Sequence, residues 1–202
     1  MYIPRHFKSE NLNEAIAFMQ RYSFGTIVTS SGNLPIATHL PFLVTQREND
    51  INIASHFAVA NPQALQLDDQ VLVIFTEPHA YISPKFYEKE QSVPTWNYLA
   101  VHAYGKAKII KAESEKFALL ERTIKNYEQG YLDQWNSLSG EYKTKMLKGI
   151  VAFEITVTDL QFKKKLSQNK TSDEQQKIIS EFSKSFDQNE NLIADYMNRH
   201  RS

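Results

Sequence analysis

Histidines at 39, 56, 79 and 102, tyrosines at 81 and 98, and a tryptophan at 96 are the side chains whose chemistry stands out in this chain. Imidazole and phenol groups can move protons near neutral pH, and indole, phenol and imidazole rings can stack on a flat ligand. The four histidines fall in different expected strands and could converge on a metal, but no His or carboxylate pair has the close spacing of a zinc site. Histidines satisfied within a β-structure are the plainer reading, as core packing is for Phe75, Tyr81 and Trp96. Nucleophile and phosphate-loop signatures are missing: Ser30-Ser31-Gly32 is turn chemistry rather than G-x-S-x-G, and neither G-x-x-x-x-G-K-S/T nor G-x-G-x-x-G occurs. With no cysteine, disulfides, thiolate nucleophiles and iron–sulfur clusters are excluded.

The elements that must position these residues can be read from hydropathy patterning. Leu12, Ala15, Ile16 and Met19 recur at helical spacing, predicting a helix over 9–21. GTIVTS (25–30) and LPIATHLPFLVT (34–45) flank Ser31-Gly32-Asn33 as a hairpin. After a polar turn at Arg47-Glu48-Asn49-Asp50 comes a strand at 51–60, then Asn61-Pro62 as a helix start, since Asn caps free amides and Pro at the first position loses no hydrogen bond. Further strands are expected at 71–76, 79–83, 94–111 and 149–162. Between the last two, helices over 113–128 (Phe117, Leu120, Ile124 and Tyr127 on one stripe) and 139–148 read as an insertion. Thr171-Ser172-Asp173-Glu174 is a capping box opening a helix through about Phe186, with Ile178, Ile179, Phe182 and Phe186 on its apolar face, and a last helix covers 191–199. Antiparallel strands with grouped helices give an α+β class.

Composition limits the partners. The chain has 202 residues, 42% apolar and 23% charged, with 23 basic and 23 acidic side chains. Residues 1–100 have a balance of −3 and residues 101–202 one of +3, so any polyanion footprint would lie in the second half, and modestly. Lys163-Lys164-Lys165 reads as a solvated strand end. No basic leader precedes an apolar segment and no apolar run reaches the ~18 residues of a membrane span, so a soluble, cytoplasmic protein with no membrane role is expected.

Six segments in register carry a family resemblance: MYIPRHF (1–7), PIATHLPF (35–42), HFAVANPQ (56–63), PHAYIS (78–83), VPTWNY (93–98) and KLSQNK (165–170). They resemble the PaiB-type branch of the FMN-binding split-barrel proteins over nearly the whole chain. The resemblance implies an antiparallel split β-barrel with peripheral helices and a C-terminal helical segment. It divides the chain into a barrel domain at 1–170, with the insertion at about 113–148, and C-terminal helices at 171–202 packed on it. It also implies FMN as cofactor, held between two protomers of a homodimer. Thr38, His39, His56 and Asn61 would lie at one rim of the flavin site. Tyr81, Ser83, Trp96, Asn97 and Tyr98 would line the neighbouring wall or the partner subunit. Lys165, Ser167, Gln168 and Asn169 would offer donors to a phosphate or to the partner. Two departures stand out, Lys170 where the family has arginine and Ala152 where it has glycine. Lysine gives up the planar two-pronged contact, and a methyl group narrows the approach to its strand.

The family is associated with negative transcriptional regulation of protease production and sporulation, so the first functional expectation is an FMN-binding regulator. Direct DNA contact draws little support, because residues 173–186 offer only Lys177 and Lys184, with Asp173, Glu174 and Glu181 beside them. A second expectation is an FMN-dependent oxidoreductase using NAD(P)H, with His39, His56 or Tyr81 as proton donors. A third is haem binding or degradation through His56, His79 or His102 as axial ligand, and a structural dimer with an empty groove is a fourth.

Overall fold

The computed structural model describes residues 1–48, 50–67 and 70–201. Its strands are β1 (Lys8–Ser9), β2 (Phe24–Ser31), β3 (Leu34–Pro41), β4 (Leu43–Arg47), β5 (Asp50–Ala58), β6 (Gln70–Ile82), β7 (Thr95–Ile109) and β8 (Ile150–Lys165). Its α-helices are α1 (Leu12–Arg21), α2 (Glu113–Tyr127), α3 (Leu132–Ser137), α4 (Gly140–Lys148), α5 (Ser172–Phe182) and α6 (Gln188–Arg201). The sheet order is β3-β2-β6-β7-β8-β5-β4, with β1 paired to β8. β1 pairs with β8, β2 with β3 and β6, β4 with β5, and β5 with β8, each antiparallel.

The chain resolves into two compact units. The first comprises Met1–Ala15, Thr76–His102 and Gln161–Ser202, the second Ile16–Phe75 and Ala103–Leu160.

In the second unit, β2 and β3 form a hairpin whose register closes at Ser31↔Leu34, leaving Gly32 and Asn33 as the loop. Gly32 sits at φ +59°, a left-handed conformation that costs glycine nothing. β4 and β5 pair through Arg47↔Asp50; Asn49 of the expected turn lies outside the described residues. Phe42 separates β3 from β4, its ring fully buried and edge-on to Phe75 at 5.6 Å. Phe57 and Phe153 stack at 5.1 Å on β5 and β8. Burying rings of this size stabilises the unit by roughly 2–3 kcal/mol each. Helix α2 places Leu119 in an apolar cluster with Leu43, Ala54 and Ala152. The expected stripe is thus displaced: Phe117, Leu120 and Ile124 are half-buried, and Tyr127 is exposed but donates its hydroxyl to Ser23 Oγ (2.7 Å) or the Phe42 carbonyl (3.1 Å). The close approach of β7 to β8 depends on Gly105, where a Cβ would lie 2.3 Å from the Thr156 carbonyl oxygen.

In the first unit, Leu99, Val101, Ile178, Phe182, Ile193 and Met197 are buried. The capping box of α5 is present: Thr171 accepts from the Glu174 amide, and the Glu174 carboxylate accepts from the amides of Thr171 (3.0 Å) and Glu88 (3.1 Å). Those donors hold its carboxyl below the usual range. The helix ends at Phe182, four residues before Phe186, which is fully exposed rather than on the apolar face. The lysine run is also not a solvated end. Lys163 is buried and donates to the Tyr2 carbonyl at 3.2 Å, and Lys164 meets both Glu14 oxygens at 2.8 Å. Lys165 bonds Thr95 Oγ1.

Candidate functional site

Strand alternation decides which residues of the aromatic segments face outward. On β6, Ala80 and Ile82 are buried while His79 and Tyr81 are exposed, and on β7 Trp96 points out between half-buried Thr95 and buried Asn97. Trp96 is 51% exposed and Tyr81 47% exposed. The Tyr81 ring stands edge-on to Trp96 at 5.8 Å and 74°, and His79 lies 5.9 Å away on the same indole at 46°. Three polarisable rings thus present one face in the first unit, with a proton-exchanging group on it.

Asn97 does not share that face. It is fully buried, and its amide exchanges hydrogen bonds with the Ser167 hydroxyl at 3.0 and 3.1 Å, with Met197 Sδ at 3.6 Å. Ser167 holds φ +61°, a left-handed value unusual for serine, and is itself buried. Tyr98 is half-buried beneath the Lys163 ammonium, 5.1 Å from its ring centre. The Lys165 amine is pushed down by burial and secondarily by the Lys163 charge. Gln168 spends both ends of its amide on the chain, accepting from Leu166 N and donating to the Lys164 carbonyl. Asn169 is exposed, and Ser83 caps the turn Pro84–Phe86 by accepting from Lys85 N at 3.3 Å. Lys170, the departure from arginine, lays its ammonium 3.6 Å from the ring centre of Tyr87. The Tyr87 hydroxyl is buried without a hydrogen-bond partner among the described residues.

The rim residues at 38, 39, 56 and 61 belong to the second unit. Thr38 on β3 donates to Gln63 Oε1 and accepts from Asn61 Nδ2 at 3.2 Å. Asn61 Oδ1 caps the following 3-10 turn (Pro62–Gln66) through the Gln63 amide at 2.9 Å. Gln63, with no exposed surface, donates to the carbonyls of Ile27 (3.2 Å) and Ile36 (3.0 Å). The Asn-Pro-Gln segment thereby locks onto the β2–β3 hairpin, which makes Thr38 and Asn61 positioning residues for that corner. Gln63 escaped the sequence reading, although its place directly after the Asn-Pro helix start was the available signal. His39 is exposed and stacks on Phe24 at 6.3 Å, whereas His56 is half-buried and burial pushes its imidazole down. His56 pairs across β5 and β8 with Ala152, whose methyl group lies in the cluster with Leu119 rather than open to a ligand. Among the described residues, no three His, Asp or Glu side chains are gathered to hold a metal, and no helix is long and apolar enough to cross a membrane.

Similarity to known proteins agrees with this architecture. The model of the family described as "Putative FMN-binding domain" matches residues 1–159. The chain is 41% identical over 202 residues to "Protease synthase and sporulation protein PAI 2" of Bacillus subtilis, covering 98% of this chain and 96% of that protein. The flavocytochrome Anf3 from Azotobacter vinelandii superposes with a TM-score of 0.63 at 14% identity, over 81% of this chain and 72% of that one. The FAD and heme binding protein from Mycobacterium smegmatis does so with 0.64 at 13%, over 83% and 78%. At such identities the structural likeness speaks to fold alone, which is α+β with an antiparallel sheet of split-barrel type. The sequence matches extend further, and on them the chain belongs to the FMN-binding domain family, in the PaiB-like branch that its six motifs indicated.

Proposed function

We propose that this chain binds FMN with the isoalloxazine ring against the outward face formed by Trp96, Tyr81 and His79, and that it works as a flavin-dependent regulator of the PAI 2 kind. The observation that carries the reading is the pair of large aromatic side chains left about half exposed side by side on β6 and β7. Exposed rings of this size leave apolar area in water that a flat ligand would cover. Bound FMN supplies reversible electron transfer. His79, at the edge of the rings, is placed to exchange a proton with a ligand lying on Trp96. Asn169 and Ser83 offer polar groups in the same unit, whereas Asn97, Ser167 and Gln168 support the backbone from behind. Homodimerisation and a cytoplasmic address belong to the same proposal, as does the division into a barrel at 1–170 and C-terminal helices.

Regulation through direct DNA contact has less support. Lys177 lies 3.7 Å from Glu88, and Lys85 3.0 Å from Glu181, so the outer face of α5 is charge-balanced. Regulation by way of the flavin's redox state fits that face better.

The test is an absorption spectrum of the purified chain after FMN is added and excess removed, with light scattering for mass. A flavin band at one FMN per protomer, lost in Trp96→Ala, supports the proposal. No retained flavin overturns the cofactor reading; equal retention in a folded Trp96→Ala variant overturns the site. Oxidation of NADH or NADPH by the loaded protein would redirect the reading to an oxidoreductase.

A further inference from the structure

A concavity of about 300 Å³ opens in the second unit between the ends of β4 and β7, strand β8 and helix α2. Its size suits a small metabolite rather than a nucleotide cofactor. Ala118 on the helix and Ile110 after β7 form its apolar part. The small side chain matters, since Glu115, Ala118 and Arg122 lie on one helical face at i, i+3 and i+7, and alanine in the middle leaves the hollow.

Its walls are cationic in an unusual way. Arg47 on β4 is held by Glu154 of β8 at 3.4 Å, an arrangement that fixes one nitrogen of the guanidinium and leaves the rest of the fork to another acceptor. Lys108 and Arg122 also line the hollow, and neither charged side chain has a hydrogen-bonding or ionic partner among the described residues. Arg122 is half-buried, so its charge is only partly screened by water. Glu115 completes the wall. With Glu154 matched to Arg47 and Glu115 set against two cations, the hollow keeps an excess of one positive charge.

We infer that this hollow is a binding site for a small dianion, a phosphate ester or a dicarboxylate, received by Arg122, Lys108 and the free edge of Arg47 beside the apolar side chains of Ile110 and Ala118. Charge-assisted bonds from two guanidinium groups suit planar or tetrahedral oxyanions. Glu115, on the same wall, opposes any anion, so its carboxylate tempers the affinity of the site. None of these residues takes part in the proposed flavin face, so the two readings stand independently.

Isothermal titration at constant ionic strength tests this on the FMN-loaded protein, using inorganic phosphate in one arm and succinate in the other. Flavin retention is read in parallel from the visible spectrum. We expect one of the two anions to bind, with affinity lowered at least about tenfold by Arg122→Gln or Lys108→Gln. Glu115→Gln should instead raise affinity several-fold, a gain that mere structural damage would not give. The arm that responds names the ligand class. Binding of neither anion, or equal binding in wild type and all three variants, overturns the inference. Flavin retention should be the same throughout, which keeps this result separate from the fate of the flavin site.

Discussion

Gln63 and Thr38 meet side chain to side chain at a corner where the Gln63 amide also spans the carbonyls of Ile27 and Ile36. One glutamine with no surface in water thus satisfies groups on both strands of a hairpin. Gln63→Leu keeps the volume but leaves these acceptors and the Thr38 hydroxyl without their donor or acceptor. We expect a loss of about 2–3 kcal/mol in denaturant unfolding. A loss near zero would show that water replaces the amide.

Trp96→Ala and Tyr81→Ala should behave in the opposite sense, with little effect on stability because both rings are about half exposed. Flavin affinity should fall about tenfold or more for Trp96→Ala, as expected for an aromatic anchor. Fluorescence titration with FMN measures this directly, and unchanged stability rules out misfolding as the cause.

Ser167→Ala removes the hydroxyl that bonds both ends of the buried Asn97 amide, leaving its nitrogen only Met197 Sδ. The amide oxygen left without its donor should cost about 1–3 kcal/mol. Ser167→Gly also deletes the hydroxyl but relieves the left-handed backbone at φ +61°, so it should be the milder change. Thermal melts of the two variants side by side would reveal a reversed order, which would mean that backbone strain is negligible here.

Burial pushes the imidazoles of His56 and His102 below their ordinary value of 6.5, with the Met1 ammonium adding to the effect on His102. The unfolded chain therefore takes up protons near pH 6.5 that the folded chain accepts only at lower pH. Stability should be full above that point and fall as pH drops through the folded-state values. In His56→Gln, the fall across this window should be shallower, as read from denaturation midpoints on either side of pH 6.5. An identical slope in the variant would remove His56 from the account.

Much of the fold was legible because local chemistry and tertiary structure agree. Gly32-Asn33 make the hairpin loop, Thr171 and Glu174 make their capping box, and Asn61 caps its turn. The misreadings share a cause, in that a local signal was overruled by packing. The strands expected separately at 71–76 and 79–83 are one, β6, which runs through Pro78 from Gln70 to Ile82, since one missing donor removes one ladder bond rather than a strand. Helix α3 spans only six residues, and its buried Trp135 gives too few turns for a periodic signal. For the site, the motifs marked the aromatic segments as a group without separating their two faces. Alternation then placed Trp96 outside and Asn97 inside, a division that nearest neighbours in a sequence conceal.

Lys163, Lys164 and Lys165 form the longest basic run in the chain, and each ammonium is taken by a carbonyl, a carboxylate or a hydroxyl close by. Only Lys164 meets an opposite charge, on Glu14; Lys163 and Lys165 bond the neutral Tyr2 carbonyl and Thr95 hydroxyl, which fix the two ammonium groups in place and leave them charged. What reads in the sequence as a solvated strand end acts in the molecule as a set of internal clasps, fastening the amino-terminal residues and the start of β7 to the end of β8.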